Sequence, residues 1–217
     1  MVRWIHPKKG FMSPGIFVPI FERNGFIEKL DLYVLEETCK YIKQRISEGK
    51  KVVPISTNLS RMTIYTKDIV NKIDALVKKY ELDKNYIRLE ITESAYIDSP
   101  NEIIGIVKEF KDKGFKILMD DFGSGYSSLN TLMEIPIDIL KIDMKLSENI
   151  GNSNRTETIL KSIIDMAHAL NTAVIIEGVE TKIQVDFYSK TNCDTIQGYF
   201  FSRPLPINKF NEYIENE

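Results

Sequence analysis

The chain has 217 residues, 43% of them hydrophobic and 28% charged, with a formal net charge of −2. That length supports one substantial core and fits a single large α/β domain, residues 1–217, better than two small ones. The slight negative charge excludes the electrostatic footprint of a nucleic-acid polymer binder, which needs a basic excess to neutralise many phosphates. A small anionic ligand remains compatible with it where metal ions carry the positive charge.

The rarer residue types narrow the chemistry. Cys39 and Cys193 are far apart and form no CxxC pattern, so they read as free thiols of a reducing compartment. His6 and His168 are the only histidines and cannot build a His-rich metal site. Any metal must then be held by oxygen ligands, which suits Mg²⁺ or Mn²⁺ rather than zinc. No apolar run approaches the roughly 18 residues of a membrane span, and MVRWIHPKKG has no signal-peptide core. The expected location is the cytoplasm.

In chain order, residues 1–5 read as the end of a strand, followed by a His6-Pro7 turn and Gly10. Helical apolar spacing runs over 14–23 and again over 27–47, with Gly25 and Gly49 as breaks. Val52 to Ile55 begins a strand that runs out at Thr57-Asn58-Leu59-Ser60, and residues 65–80 form an amphipathic helix closed by Lys78-Lys79. The alternation continues with a strand over 86–91, a helix over 102–113 stopped by Gly114, and a strand over 115–119. A short helix near 127–133 follows, capped by Ser127 or Ser128. Then come strand 137–142, helix 156–170, strand 173–177, helix 181–190, strand 195–197 and helix 207–215.

Repeated strand–helix units imply parallel strands joined by helical crossovers. The polar residues choose between an open sheet and a barrel. Asn58, Glu90, Asp120, Lys141, Glu177 and Gln197 each fall at or near the C-terminal end of a different strand. An open doubly wound sheet gathers ligands at one switch point from two or three strands. A barrel brings side chains from nearly all its strands to one mouth. The expected fold is therefore a modified TIM-like (β/α) barrel.

The centre of the pattern is Met119-Asp120-Asp121-Phe122-Gly123-Ser124-Gly125-Tyr126-Ser127-Ser128-Leu129. Adjacent carboxylates at the exit of a buried strand repel unless cations or donors neutralise them. Alone, the pair reads more readily as a turn and a helix cap than as a site. Its counterparts change that reading. Glu90 between Leu89 and Ile91, Lys141 between Leu140 and Ile142, and Glu177 after an apolar run are charges that burial makes costly unless they pair or bind metal. A shared polar site explains them together.

Around these residues lie further motifs that run nearly end to end. They are Val2-Arg3-Trp4-Ile5-His6-Pro7, Ser13-Pro14 with Phe17-Val18-Pro19, Asn58-Leu59-Ser60, Glu90-Ile91-Thr92-Glu93-Ser94, and the whole Asp120–Leu129 loop. Further on come Lys141-Ile142-Asp143, Glu177-Gly178-Val179-Glu180-Thr181, Gln197-Gly198-Tyr199 and Ser202-Arg203-Pro204-Leu205-Pro206. In these motifs and their order the sequence resembles the EAL domain, the cyclic di-GMP phosphodiesterase domain of bacterial signalling proteins.

The resemblance implies hydrolysis of cyclic di-GMP to linear pGpG with two divalent cations, Mg²⁺ or Mn²⁺. On it, Asn58, Glu90 and Asp120 hold one cation, and Asp120, Asp121 and Glu177 help to place the second. Lys141 acts on the attacking water, Asp143 holds Lys141, Arg3 contacts a substrate phosphate and Gln197 joins the polar network. Glu93 and Glu180 are supports, with Glu93 anchoring the loop over 122–129. The resemblance also leaves open a homodimer formed through the region after the Asp-Asp loop, and a GGDEF or sensor domain upstream in the full protein.

Two departures stand out. Met1 occupies the Leu position of the Glu-Ala-Leu motif, so the motif's Glu, a metal ligand, and the first strand with part of the second are expected to be missing. Loss of one anionic ligand is expected to weaken metal binding and impair turnover. The alternative function is then a degenerate, non-catalytic domain that senses cyclic di-GMP or contacts a protein. A more distant reading is another barrel metallohydrolase. The second departure is Met144-Lys145-Leu146, where the family usually carries Arg-Ser-Phe, a change expected to alter packing more than chemistry.

Overall fold

A computed structural model describes residues 2–124 and 129–216. Gly125, Tyr126 and the expected caps Ser127 and Ser128 lie outside the described residues.

The chain opens with a small antiparallel hairpin, β1 (Trp4–His6) and β2 (Gly10–Met12), turned at Pro7 to Lys9. The second arm of that hairpin was not read from the sequence. Helices α1 (Pro14–Asn24) and α2 (Ile27–Ser47) follow, separated by Gly25 in the left-handed conformation at φ 75°.

The main body alternates strand and helix: β3 (Ile55–Leu59), α3 (Arg61–Ile64), α4 (Ile69–Lys79), β4 (Ile87–Thr92), α5 (Ser94–Asp98) and α6 (Pro100–Asp112). It continues with β5 (Lys116–Phe122), α7 (Leu129–Glu134), β6 (Ile139–Ile142), α8 (Asn154–Ala169), β7 (Ala173–Ile176), α9 (Lys182–Tyr188), β8 (Thr195–Ile196) and α10 (Ile207–Glu215). The helix expected over 65–80 starts only at Ile69, because Asp68 just before it takes the left-handed φ of 63° and breaks the helical path; upstream, Ser60 caps the separate turn α3, its hydroxyl accepting from the Thr63 N–H at 3.1 Å. No helix among the described residues is long and apolar enough to cross a membrane.

Strands β3 to β8 form one parallel sheet in strictly sequential order, β3-β4-β5-β6-β7-β8. Sequential order has no reversal point, so the arrangement is that of a (β/α) barrel wall and not of a doubly wound sheet. Among the described residues β3 and β8 each pair with one neighbour only, which makes the barrel a partial one.

The two faces of this wall separate cleanly. Ile87, Leu89 and Ile91 of β4, Ile117 and Met119 of β5, Leu140 and Ile142 of β6, and Val174 and Ile176 of β7 face the helices and join the main core. The alternate residues face inward. Leu118, Ile139 and Ile175 form a small apolar layer of their own there. Two residues further along the same strands come Asp120, Lys141 and Glu177. The period of the strand thus sets a charged layer directly above an apolar floor.

Candidate active site

Lys141 is the hub of that charged layer. Its ammonium donates to Glu90 Oε1 at 3.0 Å, Asp120 Oδ1 at 2.8 Å and Glu177 Oε1 at 2.8 Å. Lys141 is only 6% exposed and Glu90 7%, so these are ion pairs inside the barrel mouth rather than surface decoration. Burial works to lower the Lys141 pKa, but the charges of Glu90, Asp120 and Glu177 outweigh it and push the value above the ordinary lysine range.

The acids outnumber the lysine. Burial pushes the Glu177 carboxyl up to about 7 and the nearby Asp120 charge adds to the rise, although Lys141 pulls the other way. Asp121 is raised as well, first by burial and then by the charges of Asp120 and Asp143.

Two backbone devices bring these acids together. In β5 the pairing with β6 shifts register between Met119 and Phe122, and Asp121 adopts the left-handed φ of 60°. In an unbroken strand neighbouring side chains point to opposite faces. Here Asp120, Asp121 and Glu177 each offer a carboxylate oxygen within 4.8 Å of the others. The second device follows β7. Glu177 keeps the strand direction, its N–H donating to the Ile142 carbonyl at 3.0 Å. Gly178 then turns at φ 64°, where a Cβ would collide with the Met144 side chain.

The other expected residues take varied places. Gln197 donates from Nε2 to Glu177 Oε1 at 2.7 Å and so orients that carboxylate. Asn58 sits opposite Glu90 in the β3–β4 register but is exposed, lining a cavity of about 310 Å³ with Asp31, Ser60 and Thr92. Glu93 is buried at the start of α5, and its N–H donates to the Asp120 carbonyl at 3.2 Å. Of the loop over 122–129 that it is expected to anchor, residues 125–128 lie outside the described residues. Glu180 is exposed, with its N–H on Gln184 Oε1 at 2.9 Å. Arg3 is exposed and donates to the Val2 carbonyl at 3.0 Å.

The expected Asp143–Lys141 pair does not form. Asp143 Oδ1 instead accepts the Lys145 N–H at 2.8 Å, capping the 3-10 turn Met144–Ser147 that follows β6. Three acids reach Lys141 from neighbouring strand ends, whereas Asp143 leaves β6 in the turn.

Two features escaped the sequence. Asp31 is a buried acid in the apolar row Ile27–Asp31–Leu35 of α2; it accepts the Ser60 N–H at 2.8 Å and the Thr63 hydroxyl at 2.6 Å, fixing the turn after β3. An acid at i, i+4 between buried aliphatic residues was the available signal. The second feature is a cleft of about 490 Å³ that opens from Glu177 and Gln197 along Met144, Tyr199, Arg203 and Tyr213. Its Arg203 guanidinium lies 4.6 Å from the Tyr199 ring centre.

A parallel strand–helix wall whose strand ends bring carboxylates and one lysine together is the build of a (β/α) barrel with its polar site at the C-terminal mouth. The EAL domain profile matches residues 1–204, and the chain belongs to the EAL domain family. It is 33% identical over 214 residues to "Cyclic di-GMP phosphodiesterase NbdA" of Pseudomonas aeruginosa, covering 99% of this chain and 27% of that protein. It is likewise 33% identical over 216 residues to "Oxygen sensor protein DosP" of Escherichia coli, covering 100% of this chain and 27% of that one. The chain thus spans about a quarter of the length of these relatives. Among solved structures, "PaMucR Phosphodiesterase, c-di-GMP complex" superposes with a TM-score of 0.88 at 30% identity, covering 96% of this chain and 84% of that one.

Proposed function

We propose that this chain is a single cytoplasmic domain that hydrolyses one phosphodiester bond of cyclic di-GMP, giving linear pGpG, with two divalent cations, Mg²⁺ or Mn²⁺. The observation that carries the reading is the convergence of Asp120, Asp121 and Glu177 oxygens within 4.8 Å of one another beside Lys141. Hard oxygen donors at that spacing suit Mg²⁺ or Mn²⁺, and the residue set offers no soft ligand that would favour zinc or copper. Asn58, Glu90 and Asp120 would hold one cation, and Asp120, Asp121 and Glu177 the other. When bound, such a pair supplies charge neutralisation at the phosphate and a water acidified toward hydroxide.

The chain's own residues do the rest. Lys141 orients the attacking water and stabilises the negative charge that builds on the phosphate. Gln197 holds Glu177 in the orientation its ligand role requires. Glu93, Asp143 and Glu180 act from behind: Glu93 under the Asp120 carbonyl, Asp143 as cap of the turn after Lys141, Glu180 at the cleft rim. Arg3 provides a guanidinium for a substrate phosphate.

The test is incubation of cyclic di-GMP with the chain and Mn²⁺ or Mg²⁺, and chromatography of the products. Appearance of pGpG, abolished by EDTA, is the expected result. A chain that binds both metal and nucleotide yet yields no pGpG would overturn the reading in favour of a non-catalytic sensor.

A further inference from the structure

We propose that Lys141 is the resident counter-cation of the acid cluster and competes with divalent metal for the same carboxylate oxygens, so that loading the site requires the ammonium to let go. The inference rests on the metal reading above and adds to it a control on metal entry. Asp120 Oδ1 and Glu177 Oε1 each lie 2.8 Å from Lys141 Nζ, and both residues belong to the group whose oxygens converge for a cation. Glu90 Oε1 completes the grip at 3.0 Å. A buried carboxylate needs a cation, and an ion or an ammonium satisfies that need in the same place.

Two consequences follow from the strand that carries the lysine. Lys141 lies within β6 (Ile139–Ile142) and is 6% exposed, so its backbone cannot retreat and its stem has little room to swing into solvent. A displaced ammonium stays tethered beside the acids it has released, where the hydrolytic reading wants a cation. The lysine therefore keeps the acids compatible with burial before metal arrives and weakens apparent metal affinity while doing so. A group that only braced the fold would do the first and not the second.

The experiment compares the wild-type chain with Lys141→Met and Lys141→Arg, using Mn²⁺ alone as the probe. Calorimetry gives its affinity, and thermal unfolding with EDTA or Mn²⁺ gives the metal-dependent shift. Lys141→Met is expected to melt lower than wild type in EDTA. It should bind Mn²⁺ about tenfold or more tighter, since its buried acids then lack any competing cation. Its Mn²⁺-induced rise in Tm should exceed that of wild type, and Lys141→Arg, which keeps the charge, should stay near wild type. If Lys141→Met melts lower but binds Mn²⁺ no tighter and shows the wild-type shift, the lysine is only a brace and the proposal falls. Should the variant not stay folded in EDTA, titrating Mn²⁺ into the urea-unfolded chain decides it. Folding that appears only with Mn²⁺ supports the competition, and failure to fold at saturating Mn²⁺ overturns it. Absence of Mn²⁺ binding by both wild type and Lys141→Met would instead strike down the metal reading itself, and the proposal with it.

Discussion

The two ends of the parallel sheet handle buried charge in opposite ways. On the N-terminal side of the sheet two acids each meet more than one cation. Asp138, just before β6, is paired with Lys116 at 3.0 Å and Lys111 at 3.2 Å, and accepts the Ile117 N–H at 2.9 Å. Asp74 on α4 meets Lys78 at 2.8 Å, Lys84 at 2.5 Å and Lys113 at 3.6 Å. Burial alone would raise both carboxyls, yet these partners hold Asp138 below its ordinary range and Asp74 at about 2. At the C-terminal ends three acids share Lys141, and Glu177 and Asp121 are pushed up. One end is arranged for stability. The other holds more negative charge than its single lysine matches, the imbalance on which the metal reading rests.

The contrast can be broken most severely at Asp120. Asp120→Asn is expected to reduce pGpG formation by about a thousandfold, the several kcal/mol of a metal-holding group at 1.36 kcal/mol per decade. Its Tm should hold steady or rise, because one member of a repelling set is gone. Asp138→Ala is the mirror experiment. Urea unfolding should show a loss of about 1–3 kcal/mol from the orphaned Ile117 N–H and the separated lysines, while turnover per folded molecule is unchanged.

Gln197→Ala tests the contact that steers an acid. Freeing Glu177 from its 2.7 Å partner is expected to weaken Mn²⁺ affinity or turnover roughly ten- to hundredfold, the usual range for a group that orients a metal ligand. The smallest effect is confined to acid. The Asp74 carboxyl is held at about 2 against an ordinary 3.8, so the stability it contributes is fully present above 3.8 and is lost as pH falls toward 2. Asp74→Asn should therefore flatten the acid limb of a Tm-against-pH curve. If the wild-type limb lies entirely above pH 5, the depressed carboxyl at this end is not what shapes it.

Much of this was legible because charge inside an apolar strand is conspicuous. Glu90, Lys141 and Glu177 declare themselves by their neighbours, and with Asp120 they mark out the barrel mouth. The helices α2, α6 and α8 were equally plain from spacing and from glycine stops. Less visible were features that depend on where a side chain finds its partner. Asp143 is separated from Lys141 by one residue, and sequence alone cannot tell a strand-end acid that pairs inward from one that caps the next turn. Asp31 looked like one acid among many in a charged helix, since its partners Ser60 and Thr63 lie beyond the following strand. The β1–β2 hairpin was too short to carry a periodicity.

The slip in β5 at Asp120-Asp121 has a consequence for how this chain tolerates change. A strand normally deals its residues alternately to two sides, which limits each strand of a barrel to every second position for chemistry. By suspending that rule at a single step, β5 places consecutive residues in one chamber and behaves there as a two-pronged clamp. A deletion or insertion of one residue between Lys116 and Asp120 would not merely shift the clamp along the strand; it would turn one prong into the helix layer. Strand β5 is thus a stretch of the chain where length is constrained together with identity.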